Sequence, residues 1–123
     1  MLVIGFLALS AGLYQGLVFL GLSEPSLEIR GLAILWVLLA GVYEEIIYRG
    51  GVQRLLIAAG VGTFWGVLLT AMLFGLAHDG LVHVVFAFIL GIYLGIVAQW
   101  EGSIRTSIAC HVLNNAVALA VLS

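Results

Sequence analysis

Side chains that could do chemistry stand in three otherwise apolar stretches of the sequence. Glu44 and Glu45 are adjacent in the first stretch, His78 lies in the second, and His111 lies in the third, with Asn115 one helical turn after it. Carboxylates and imidazoles are the side chains that most often act as general acids and bases. The types of these residues therefore indicate a site for proton-transfer chemistry.

The two acids of the first stretch differ in their expected partners. Glu45 and Arg49 are four residues apart, so they lie on one helix face in the favourable order of an ion pair, which is the structural explanation for this motif. Glu44 is rotated from Glu45 by about 100° on a helix and is left as the less neutralised acid. A carboxylate in a partly desolvated site suits a general base.

The polar groups of the other two stretches also repeat at helical spacing. Phe74 precedes His78 by four residues, and His111 precedes Asn115 by four, with Asn114 beside it. Each histidine or asparagine alone is most simply a hydrogen-bonded packing residue of a membrane helix. Together, however, these groups would leave many unmet hydrogen bonds unless they converge. We therefore predict that the three stretches meet around a small wet cavity.

The composition places these residues in a membrane protein. Hydrophobic residues make up 64% of the 123 residues and charged residues 8%, whereas soluble domains carry about 25% charged residues. The chain has no lysine, which argues against a nucleic-acid partner, and its single cysteine excludes a disulfide framework or a multi-cysteine metal cluster. The predicted fold class is an all-α, polytopic membrane helix bundle formed by a single membrane domain, residues 1–123.

Apolar stretches long enough to cross a bilayer recur along the chain. They predict about five transmembrane helices, at roughly 1–22, 30–57, 63–79, 82–100 and 104–122. If the Gly50-Gly51 pair ends or breaks the second helix, residues 52–59 would lie as a short interfacial piece. The G-x-x-x-G pairs, such as Gly91/Gly95, are expected to pack helices within the molecule.

The order of the three motifs resembles a known family. Glu44-Glu45-x-x-x-Arg49, Phe74-x-x-x-His78 and His111-x-x-x-Asn115 are similar to the motifs of the CPBP family. This family comprises CAAX prenyl proteases of the Ras-converting-enzyme type and the bacteriocin-processing or immunity proteins often called Abi proteins. The resemblance covers about residues 37–122. Members usually have more helices before the first motif, so the chain is expected to be a minimal member or a fragment.

The resemblance implies an intramembrane endopeptidase. Glu44 and His78 would activate the attacking water, and His111 and Asn115 would stabilise the oxyanion, the interaction that usually contributes most to acyl transfer. Arg49 would hold Glu45 and shape the site. The implied partners are membrane lipid and a peptide or lipidated protein C-terminus as substrate. The chain is expected to be a multi-pass protein of the prokaryotic plasma membrane.

The sequence leaves open whether the activity needs a metal ion and whether the protein has one of two other functions. Glu44, His78 and His111 could supply a three-ligand zinc site, but H-E-x-x-H is absent, and the metal-free mechanism is preferred. A non-catalytic membrane scaffold or bacteriocin immunity protein of the same fold is the main alternative. A small transporter or channel could use the same acids, although the sequence lacks two related halves with interrupted helices.

Overall fold

The computed structural model describes the backbone of residues 32–122 and the side chains of residues 35–120. Within this part of the chain the secondary structure is entirely helical, with short turns and no strand, which confirms the all-α prediction. In chain order the elements are α1 (Leu32–Glu45), a π-helical segment (Ile46–Gln53), α2 (Arg54–Ala58), α3 (Thr63–Leu76), α4 (Leu81–Glu101) and α5 (Arg105–Leu122).

The first three elements form one continuous helix over the predicted 30–57 segment, without the break that the Gly50-Gly51 pair left open. The backbone at Gln53 (φ −60°, ψ −45°) and Arg54 (φ −64°, ψ −40°) is helical, so the Gly50-Gly51 pair does not break the chain. The helix instead widens to the i→i+5 hydrogen bonding of a π-helix over eight residues. It ends near Ala59, before Gly60 turns the chain at φ 86°.

The other helices follow the predicted boundaries closely but do not confirm five membrane spans. Only Leu81–Glu101, with 21 residues, is long and apolar enough to cross a bilayer among the described residues. Thr63–Leu76 is apolar, yet its 14 residues extend only about 21 Å, short of the roughly 30 Å hydrocarbon core. The predicted span at 1–22 lies outside the described residues.

Polar side chains lie inside the bundle, while large apolar ones lie on its surface. Trp100, Leu81 and Leu55 are 76%, 73% and 71% exposed, and many other large apolar side chains are more than half exposed. Soluble monomers rarely expose apolar surface on this scale. The buried polar and charged residues are Glu45, Arg49, Gln53, Thr70, Ser107, His111 and Asn114. They lie among buried apolar residues such as Phe74 and Leu94. A polar interior of this kind beneath an apolar surface is the one expected when lipid rather than water surrounds the helices.

Close helix packing brings the motif-bearing elements together. The π-helical segment packs against both α3 and α4, which form a hairpin, and α5 packs against α1 and α4. A Cβ atom on Gly91 would lie 3.0 Å from the Cα atom of Ala71 on α3, and one on Gly95 would lie 2.8 Å from Gln53 Oε1. The Gly91/Gly95 pair therefore packs helices within the molecule, as predicted.

Gly91→Ala should lower the stability of the protein. The added methyl group would press on the backbone of α3, and overpacking of this kind costs about 1–3 kcal/mol. Gly51→Ala is the matched control because its Cβ would meet the Ile46 carbonyl oxygen at an ordinary contact distance of 3.8 Å. Thermal unfolding of the purified variants in detergent measures both effects. Equal unfolding midpoints for Gly91→Ala and Gly51→Ala would contradict the close α3–α4 approach.

Candidate active site

The ring of Phe74 is the point at which the motifs meet. Phe74 is 1% exposed, and its ring makes edge-on contacts with His78, His111 and Tyr48 at centroid distances of 4.9, 5.5 and 5.1 Å. The guanidinium of Arg49 lies 4.6 Å from the centre of the same ring. Side chains from the π-helical segment, α3 and α5 thus share one core contact, as the predicted convergence requires.

Glu45 is the most fully paired acid of the site. Its carboxylate is buried, and Oε1 accepts hydrogen bonds from Arg49 Nη1 at 2.7 Å and from His111 Nδ1 at 2.9 Å. Arg49 Nη2 in turn donates to the carbonyl oxygen of Gly91 at 3.0 Å. A continuous series of hydrogen bonds therefore runs from the backbone of α4, through the ion pair, to the imidazole on α5.

Glu44 is the more accessible of the two acids. Its side chain is 19% exposed, whereas that of Glu45 is 0% exposed. Glu44 Oε2 lies 3.6 Å from His111 Nε2, which is too long for a hydrogen bond. The ring of His111 therefore lies between the two carboxylates, bonded to Glu45 on one side and close to Glu44 on the other.

His78 is held in one tautomer when neutral. Its Nδ1 lies 2.8 Å from the carbonyl oxygen of Phe74, and because a carbonyl can only accept, Nδ1 must carry the donated proton. The other ring nitrogen, Nε2, then keeps its lone pair. The side chain is partly exposed at the end of α3. His78 can therefore offer Nε2 as a base.

Asn115 lies one turn after His111 and is bonded to α1. Its Nδ2 donates to the carbonyl oxygen of Val37 at 2.9 Å, and its Oδ1 accepts a bond of 3.4 Å from Asn114 Nδ2. A carboxamide nitrogen carries two protons, so one N–H of Asn115 is left for another acceptor. The hydrogen bond to α1 fixes the orientation of the Asn115 carboxamide, and therefore the direction in which its remaining N–H can donate.

Comparison with protein families identifies the chain. The family model described as type II CAAX prenyl endopeptidase Rce1-like matches residues 26–117, which include all three motifs and 92 of the 123 residues. The chain belongs to this family. Rce1-like proteins are membrane-embedded proteases, so the resemblance to CPBP intramembrane proteases is confirmed. No curated protein and no solved structure gives a significant match.

The residues of the three-ligand zinc site that the sequence left open are not grouped as metal ligands in this Rce1-like protein. Across the residues that the structure describes, no group of three or more His, Cys, Asp or Glu side chains is placed to hold a metal ion. Of the set Glu44, His78 and His111, the last bonds to Glu45 through Nδ1, and its Nε2 lies 3.6 Å from Glu44 Oε2.

Gln53 is a buried polar residue that was not among the residues predicted from the sequence motifs. It is 0% exposed, and its Nε2 donates to the carbonyl oxygen of Gly95 at 3.1 Å. The sequence carried a signal for it, since Gln53 follows Arg49 by four residues and Glu45 by eight. The same face of the long helix thus presents three polar side chains in succession to the interior of the Rce1-like fold.

Arg49→Met should strongly destabilise the protein. Removing one partner of a buried ion pair leaves an uncompensated charge, here that of Glu45, and typically costs about 3–5 kcal/mol. Arg54→Met, on the exposed side of the same helix, is the control and should change the free energy of unfolding by less than about 0.5 kcal/mol. Denaturation followed by circular dichroism compares the two. Similar losses for both variants would show that the Glu45–Arg49 pair is not buried as described.

Proposed function

We propose that this protein is an intramembrane endopeptidase that hydrolyses a peptide bond of a lipidated or membrane-embedded peptide. The observation that carries the proposal is the unequal pairing of the adjacent acids. Glu45 is neutralised by Arg49 and bonded to His111, so Glu44 is left as the accessible carboxylate beside an imidazole. Membership of a protease family supports the same reaction class.

In the proposed reaction, Glu44 is the general base. Its carboxylate takes a proton from a water molecule whose oxygen attacks the carbonyl carbon of the scissile bond. His78 accepts a hydrogen bond from the same water through Nε2, the nitrogen that the Phe74 carbonyl leaves with a lone pair. The tetrahedral intermediate then collapses as the C–N bond breaks. The leaving amine takes the proton from Glu44, so one water is consumed and no other reactant is needed.

His111 and Asn115 are the proposed oxyanion donors. The bond from His111 Nδ1 to Glu45 holds the ring with Nε2 on the Glu44 side, so a protonated ring would donate Nε2–H to the developing oxyanion. Asn115 would contribute the N–H that its bond to Val37 leaves over. Donors fixed before the reaction are the ones that stabilise an oxyanion most, because they need not reorganise. Glu45 and Arg49 position His111.

The proposed substrate and location follow from the family and from the surface. Type II CAAX prenyl endopeptidases suggest a lipidated protein C-terminus as the substrate, with membrane lipid as the surrounding partner. The apolar exterior supports an integral, multi-pass protein. We place it in the prokaryotic plasma membrane. A substrate peptide would then reach the polar interior laterally from the lipid.

Glu44→Gln should abolish peptide cleavage. Loss of a general base typically costs about 10²–10⁴-fold in rate. Glu101→Gln is the matched control, because Glu101 is an exposed acid at the end of α4 and should not affect the rate. The assay uses purified protein in liposomes with a farnesylated C-a-a-X peptide and a library of membrane peptides. Unchanged cleavage by Glu44→Gln would rule out its role as the base.

His78→Ala should lower kcat by about 10²–10⁴-fold, because the water would lose its second acceptor. His83→Ala is a close control, since His83 Nδ1 also lies within hydrogen-bond distance (3.1 Å) of a carbonyl four residues earlier, but the side chain is exposed. The same peptide assay, run over a range of substrate concentrations, separates kcat from KM. Equal kcat values for the two variants would contradict the assignment. If wild type cleaves nothing, and bacteriocin protection survives both Glu44→Ala and His78→Ala, the protein is a non-catalytic member of the fold.

A further inference from the structure

Three buried polar atoms lie along one strip of the bundle interior without a hydrogen-bond partner among the described residues. They are Arg49 Nε, Gln53 Oε1 and Thr70 Oγ1, on side chains that are at most 1% exposed. A fourth such atom, Glu45 Oε2, belongs to the carboxylate that bonds to Arg49 and His111 through its other oxygen. Buried polar atoms nearly always have a partner, either in the protein or in an ordered water molecule. Neither the catalytic assignments nor the helix packing described above accounts for these three atoms.

The packing of Gln53 fixes one end of the strip. A Cβ atom on Gly95 would lie 2.8 Å from Gln53 Oε1 and 2.9 Å from Val67 Cγ1. Two atoms within 3 Å of one point are close neighbours, so the carboxamide oxygen lies beside α3 at the level of Val67. Because Gln53 Nε2 donates to the Gly95 carbonyl, the orientation of the carboxamide is fixed.

The packing of Arg49 fixes the other end. Its guanidinium lies over the ring of Phe74, seven residues after Val67 on the same buried face of α3. Thr70 lies between Val67 and Phe74 on that face, three residues from the first and four from the second. The hydroxyl of Thr70 is therefore at a level between Arg49 and Gln53.

The hydrogen-bonding capacities of the three atoms are complementary. Arg49 Nε can only donate, Gln53 Oε1 can only accept, and a threonine hydroxyl can do both. Arg49 Nη1 donates to Glu45 and Nη2 donates to Gly91, so Nε is the guanidinium nitrogen without a hydrogen-bond partner among the described residues. A water molecule can accept two hydrogen bonds and donate two. It can therefore accept from Arg49 Nε, donate to Gln53 Oε1 and bond to the Thr70 hydroxyl in either direction.

We propose that Arg49, Gln53 and Thr70 form an internal binding site for an ordered water molecule between the π-helical segment and α3. The water accepts from Arg49 Nε and donates to Gln53 Oε1, while Thr70 completes its coordination. A buried ion pair is stable only when its remaining protons are also bonded, so this water stabilises the Glu45–Arg49 pair. The site goes beyond the proposed function, because it exists whether or not the protein cleaves peptides.

An experimental structure of the full chain in lipid, at a resolution that shows ordered waters, tests the site directly. We expect density for a water within hydrogen-bond distance of Arg49 Nε, Gln53 Oε1 and Thr70 Oγ1. In Thr70→Val, which keeps the shape of the side chain but removes the hydroxyl, that density should weaken or vanish. A direct Thr70–Gln53 hydrogen bond, a dry contact, or a side chain from residues 1–31 in this place would overturn the proposal.

Unfolding midpoints provide the second measurement. Thr70→Val and Gln53→Met should each lower the midpoint, and the double variant should lose less than the two losses combined, because both remove ligands of one water. Thr70→Ser keeps the hydroxyl but removes a buried methyl group, so it should lower the midpoint less than Thr70→Val does. Thr63→Val, at the exposed start of α3, should leave the midpoint unchanged. Additive losses, or a serine variant no more stable than the valine variant, would show that the two residues do not share a ligand.

Discussion

The buried Glu45–Arg49 ion pair is the interaction on which the rest of the site depends. It joins three helices at once, because Arg49 also bonds to the backbone of α4 and Glu45 also bonds to His111 on α5. A charge buried in apolar surroundings must be paired, so the pair allows these helices to pack around both side chains. The same pairing leaves Glu44 as the less neutralised acid. One interaction thus contributes both to the fold and to the proposed division of roles between neighbouring carboxylates.

Small residues and a local change of helix type make this pairing sterically possible. Gly91 and Gly95 let the π-helical segment and α3 lie against the backbone of α4, where Arg49 and Gln53 reach its carbonyl groups. Helix carbonyls are already bonded within their own helix, but each oxygen has a second lone pair. π-helical turns often occur at functional sites, and here one carries Arg49 and Gln53 directly after Glu45.

Much of this arrangement could be predicted from the sequence, for identifiable physical reasons. The Glu45–Arg49 pair follows from helical spacing, and the convergence of His111 with the acids follows from the cost of unpaired polar groups in lipid. The sequence left open whether the helix continues through Gly50, because glycine has a weak helix propensity that tertiary contacts can override. Gln53 has the same helical spacing, but because its side chain is uncharged, the sequence did not indicate that it is buried with a partner. The short α3 shows that an apolar stretch predicts a helix but does not predict how many of its residues are helical.

The position of His111 relative to the two acids tests the account most directly. An experimental structure in a lipid bilayer measures the distance from His111 Nδ1 to Glu45 Oε1. The account predicts a hydrogen bond close to the 2.9 Å found here, with Nε2 of the same ring on the side of Glu44. An imidazole turned toward lipid, or separated from both carboxylates by more than a water molecule, would contradict it.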